Sequence, residues 1–201
     1  MNNNIINIFT LIAIPFFLLG LIIALIPAFL TGNYNITSNS ISELGSSVYT
    51  PYPMIMNITF MLSPILLSFF FFKLYKIISK FVKDHKIFNN LSILGFSLFG
   101  LMNIGFFFAG IFNVDFSRLL HNISTIFVFI PLLVGEIIIG IIILIHQIAH
   151  KYIAVLMIFG QLSVSFLYFI LQTPLLEWII FFVLLLWGLP LSIKIIRHKE
   201  L

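Results

Sequence analysis

The residues able to do chemistry in this chain are few, and most of them stand near the ends of long apolar runs. "VDFSRLLHNIS" brings Asp115, Arg118, His121 and Asn122 together within eight positions. Arg118 and His121 are three apart, which on a helix puts them on one face. A histidine oriented by a carboxylate is the arrangement of a general base. The carboxylates available at that end are Asp115 and Glu43, the latter in "TSNSISELGSSVYTPYP" (37–53). Ser42, Asn57 and Asn103 complete the polar set there as candidate substrate-binding or relay groups, with Ser124 beside His121. The blander reading is that the loop folds over the helices, Glu43 capping a turn or pairing with Arg118.

A second candidate is Glu136, inside "PLLVGEIIIGIIIL" with no basic neighbour on its own run. A carboxyl in hydrocarbon is costly unless paired, so it marks either a proton or cation relay or a satisfied buried acid. Gln161 or Ser163 would be its hydrogen-bond partner in the second case. Glu136 and His121 are fifteen residues apart, which on one helix means a similar sector about 22 Å along the axis. A third is "HQIAHKY", where His146 and His150 at i, i+4 would share a helical face. Two histidines fall short of a metal site even with His85 and His198 at the same end. No metal and no cofactor is therefore expected. Cysteine is absent, which removes disulfides, thiolate metal sites and a cysteine nucleophile. No Walker loop, nucleophile elbow or dinucleotide fingerprint occurs.

The elements that must position these groups follow from composition. The chain has 201 residues, 61% hydrophobic and only 8% charged, with 25 Phe. Soluble domains carry about three times that share of charge, so lipid must be the solvent for most of this surface. Apolar runs of about twenty residues occur at about 5–31, 54–79, 88–113, 119–147, 152–172 and 175–195. The first is too long and too poor in N-terminal base for a signal peptide, and Pro15 and Pro27 are expected to kink or end it. The reading is one all-α domain over residues 1–201, an integral membrane bundle of six transmembrane helices.

Loop charge sets the orientation. Lys73, Lys76, Lys80, Lys83, Lys86, Lys151, Lys194, Arg197 and Lys199 fall at one end and only Arg118 at the other. By the positive-inside rule both termini are cytoplasmic and the first loop is extracellular. The net charge of +4 is then an orientation signal with attraction to anionic lipid, not a nucleic-acid footprint. The glycines at 95, 100, 105 and 110 are spaced by five. They spread round the third helix, which points to close packing against several neighbours.

"SISELGSS", Asn57 early in the second run, and the Gly-rich third run leading into "RLLHNIS" resemble the six-helix prokaryotic membrane family filed as domain of unknown function 998. That family is similar in plan to the Frag1/DRAM/Sfk1 group. The likeness extends from about residue 8 to 195; "GIFNVD" lacks the proline that many members carry at the end of the third helix. The resemblance implies that Ser42, Glu43, Gly45 and His121 belong together, and implies no reaction. Three functions follow. The first is a non-catalytic membrane component or subunit of a larger membrane complex in the cell membrane, whose partners are lipid and other membrane subunits. The second is an enzyme acting on lipid or lipid-linked substrate at the outer leaflet through Glu43 and His121. The third is a small proton-coupled transporter using Glu136.

Overall fold

The computed structural model describes residues 3–197 and is all-helical, with no strand among the described residues. Among the described residues, six helices are long and apolar enough to cross a membrane. They are α1 (Asn3–Leu30), α2 (Pro53–Val82), α3 (Lys86–Ile111), α4 (Arg118–Ile145), α5 (Lys151–Leu171) and α6 (Pro174–Arg197). Their ends lie within three residues of the apolar runs read from the sequence. His198 and Lys199, assigned above to the basic end, lie outside the described residues.

The boundaries have local causes. Pro53 and Pro174 open α2 and α6 at the position where a missing N–H costs nothing. Ser117 caps α4 by accepting the Leu120 N–H at 3.3 Å. Asp115, the other candidate cap there, is engaged elsewhere. α1 runs through both Pro15 and Pro27 and ends three residues after the second. In α5, residues Leu156–Gly160 form a π-helical turn, and after Leu171 the φ of 49° at Gln172 turns the chain into α6.

Consecutive helices α1 to α4 pack side by side, and α5 covers α4 and α6. Glycine sets how closely they approach. A Cβ on Gly105 would stand 2.7 Å from the Phe127 backbone of α4, and one on Gly110 would stand 2.6 Å from the Asn57 carbonyl of α2. Gly95 meets Ile139 of α4, whereas Gly100 faces open space. Three of the four evenly spaced glycines are thus packing positions against two neighbours.

The buried apolar side chains form two clusters. One joins α2, α3, α4, α5 and α6 around Phe70, Phe99, Ile139, Ile142 and Met157. The other lies under the first loop around Phe17, Leu21, Leu44, Met56 and Trp178. Loop one, residues 31–52, is ordered above this second cluster, with a 3-10 turn at Ser42–Gly45 whose Leu44 is fully buried.

Replacing Gly105 or Gly110 by Ala should destabilise the bundle by about 1–3 kcal/mol, because backbone must move to admit the methyl group. Gly100→Ala should be neutral or gain up to about 1 kcal/mol of helix propensity. Thermal unfolding of the three variants in one detergent checks both.

Candidate functional site

Loop one carries a dense hydrogen-bond network. Glu43 accepts the backbone N–H of Ser40 at 2.8 Å and the Asn39 amide at 3.2 Å. That is the back-reaching half of a capping box, written in sequence as Ser-x-x-Glu. The Glu43 charge also raises the Tyr49 phenol above its ordinary range. Glu43 makes no hydrogen bond to His121 and no ion pair with Arg118, which is exposed. The pairing expected from the sequence is not made, since Glu43 is occupied in holding its own turn.

Two further carboxylates fasten the loop to the helices. Asp115 accepts the Ser46 hydroxyl at 2.6 Å, and the Ser47 N–H and hydroxyl at 2.7 and 2.8 Å. The Ser46 hydroxyl, ahead of the Ser47 bonds, holds the Asp115 carboxyl below its usual range. On the other side Glu177 of α6 accepts the Ser42 N–H at 3.3 Å, and the Trp178 indole donates to the Asn39 carbonyl at 3.0 Å. Tyr34 donates to the Ser40 carbonyl at 2.7 Å, and burial pushes its phenol well above the usual range. Asn57 donates to the Gly45 carbonyl at 3.1 Å, and Asn103 to the Ser68 hydroxyl at 2.9 Å. Both asparagines therefore tie elements together. Glu177 and Trp178 escaped notice in the sequence; the signal was an acidic residue and an indole in the first turn of the last span.

Beneath the loop lies a partly open cavity of about 170 Å³, walled almost wholly by hydrocarbon. Phe17, Phe60, Phe70, Phe71, Phe106 and Phe181 are among the residues that line it. α4 and α6 face each other across it with almost no close contact between them. Ser42, His121 and Glu177 stand at the loop-one end and Trp187 deeper. His121 is 4% exposed, and its Nδ1 lies 2.9 Å from the Phe112 carbonyl. A carbonyl only accepts, so Nδ1 carries a proton and Nε2 of the neutral ring presents a lone pair. That Nε2 has no partner among the described residues; the nearby Ala109 carbonyl does not complete a bond.

Glu136 is fully buried in α4, and neither of its oxygens has a hydrogen-bond partner among the described residues. The hydrogen bond expected to Gln161 or Ser163 is therefore not made, and Ser163 is exposed on α5. The Trp187 indole N–H lies beside the carboxyl but outside hydrogen-bond geometry. Gly140 packs on Met157 and Ile158 of α5, so one turn further Glu136 comes level with Gln161. The Gln161 carbonyl oxygen is likewise unpartnered, directly after the π turn. Such turns occur disproportionately at functional sites.

At the lysine-rich end α4 stops at Ile145, so His146 and His150 do not share a helical face. Gln147, with φ of 51°, turns the chain away. His146 packs instead near His85, ring centres 5.7 Å apart, and His150 against Tyr152. No group of three or more ligand-type side chains gathers among the described residues. Compared with known proteins, the chain matches no family model, no curated protein and no solved structure.

Asp115→Ala should free loop one from α4 at a cost of about 1 kcal/mol, discounted for the exposure of the carboxylate, and speed proteolysis at Val48. Because the folded Asp115 titrates below 3.8, the clasp should be complete above that pH and be lost only as the pH falls below it. Wild-type cleavage rates between pH 3 and 7 check the second part.

Proposed function

We propose that this is a multi-pass protein of the cell membrane, related in plan to the family of unknown function 998. Both termini face the cytoplasm and loop one faces outward. It acts without catalysis, as a component of a larger membrane assembly. The carrying observation is that the polar groups at the loop-one end are bound to one another rather than converging on a reacting position. Glu43 closes a turn, Asp115, Glu177 and Asn57 hold the loop, and Asn103 ties α3 to α2. α1 and α5 are the least covered helices, with 28% of their most apolar stretch buried, and offer the flanks for partner subunits.

The absence of cysteine makes the orientation directly measurable. Val48→Cys should react with a membrane-impermeant maleimide in intact cells, and Lys83→Cys only after permeabilisation; the reverse pattern rejects the orientation. A photo-reactive residue at Leu11 of α1 or Phe166 of α5 should cross-link to a second polypeptide. Labelling of lipid alone would count against the subunit reading.

The unpartnered Glu136 beside Gln161, Trp187 and the π turn favours a second reading, a proton-coupled carrier with Glu136 as relay. Glu136→Gln should then abolish proton-coupled flux in liposomes, and unchanged flux removes this reading.

A further inference from the structure

Among the described lysines only Lys73 is buried, 6% exposed, where α2 meets α1. Helix length sets its depth. Pro53 opens α2 and Lys73 follows twenty residues later, about 30 Å of helix, which matches the roughly 30 Å hydrocarbon core of a bilayer. With Pro53 at one edge of that core, Lys73 stands at the other, where acyl chains give way to phosphates.

What Lys73 lacks there is a counter-charge. Its ammonium donates to the side-chain carbonyl of Asn7 on α1 and has no other partner among the described residues. An amide oxygen satisfies one of the three ammonium N–H groups and cancels none of the charge. The carboxylates are placed elsewhere. Glu43, Asp115 and Glu177 hold loop one at the opposite end, and Glu136 is buried in α4. Asp84 is exposed past the end of α2, and Glu200 lies outside the described residues. A buried charge with no opposite charge beside it is costly, so Lys73 favours an anion from outside the chain.

The surroundings select the anion. Lys76 is three residues on, its Cβ about 5–6 Å from that of Lys73 on the same side of α2. It is exposed, with its ammonium 4.7 Å over the Phe72 ring. Two ammoniums one turn apart suit a phosphate, whose oxygens accept from both. Phe69, one turn deeper on the Lys73 face, stacks on Phe9 of α1 at 4.7 Å, and both rings are half-buried. Cations above half-open rings repeat the polarity of an anionic phospholipid. Lipid phosphates already lie at this level, whereas a partner's carboxylate would have to be carried to the edge of the hydrocarbon.

We propose that Lys73, Asn7 and Lys76 form a site for one anionic phospholipid, its phosphate bound by the two ammoniums and an acyl chain lying over Phe9 and Phe69. The site differs from a general attraction of the basic end for anionic surfaces, because it depends on one buried lysine. It goes beyond the assembly and carrier readings and needs only a bilayer-embedded bundle, whichever way it faces.

The test is native mass spectrometry of the full chain released from nanodiscs of dioleoyl phosphatidylcholine and dioleoyl phosphatidylglycerol in equal parts. The expected result is one phosphatidylglycerol retained per chain, in preference to phosphatidylcholine. Lys73→Gln, which can still donate to Asn7, should weaken that adduct about tenfold. Lys151→Gln removes the same charge at the start of α5 and should leave the adduct unchanged. Asn7→Asp supplies Lys73 with an internal carboxylate and should displace the lipid without loss of thermal stability, which decides the matter should Lys73→Gln not fold. Inorganic phosphate has no chain to lay on the rings and should not compete. Equal retention of phosphatidylcholine, equal losses with Lys73→Gln and Lys151→Gln, an adduct that survives Lys73→Gln or Asn7→Asp, or displacement by inorganic phosphate each overturns the proposal. So does a wild-type chain without the adduct, whether Lys73 is then bare or joined by carbodiimide to an acidic side chain of a second polypeptide.

Discussion

Hydrocarbon offers a backbone amide no alternative to the bonds the chain makes for itself, and this shapes every part of the molecule. Within the spans the helix meets the demand automatically, and the side chains are then free to be almost uniformly apolar. Loop one has no helix to rely on over most of its length, yet its Leu44, Gly45 and Ser46 are buried. Its amides and carbonyls must find partners one at a time. Glu43, Asp115, Glu177, Asn57 and Trp178 serve that need, which is why so much of the chain's small polar complement gathers at one end.

The chamber below the loop is the counterpart of this economy. Close helix approach depends on glycine, and the glycines of α3 draw it onto α2 and α4; no such contact draws α4 onto α6. The space between them is bordered by rings that brace one another. Phe17 lies against Phe60, Phe106 and Phe181 at centroid distances of 6.1, 5.6 and 5.1 Å, and Phe71 stacks on Phe99 at 4.3 Å. Trp187, Glu136 and Gln161 place polar atoms without a protein hydrogen-bond partner in the buried interior, among the described residues.

The spans were legible because a bilayer imposes one length and one polarity on every crossing segment, and six such segments are plain in the sequence. What loop one touches was not. Ser42 meets a carboxylate 135 residues away, and no local pattern distinguishes Glu177 from Glu43 as the one beside the chamber. Ser40-x-x-Glu43 did contain its own answer, a spacing that closes a turn. The histidine pair misled for a definite reason: i, i+4 neighbours meet only inside a helix, and Gln147 ends α4 without the Gly, Asn or Pro that would announce it. The π turn of α5, which brings Gln161 inward, left no trace in composition either.

Loop one spans the two walls of the chamber, bound to Asp115 on the α3–α4 side and to Glu177 and Trp178 on the α6 side. In all of these bonds the donors are hydroxyls, amides or an indole, and never a cation. Dissolved ions weaken attraction between opposite charges far more than short bonds of this kind. The closure of this end is thereby insulated from ionic strength, a property an arginine-to-glutamate clasp would lack.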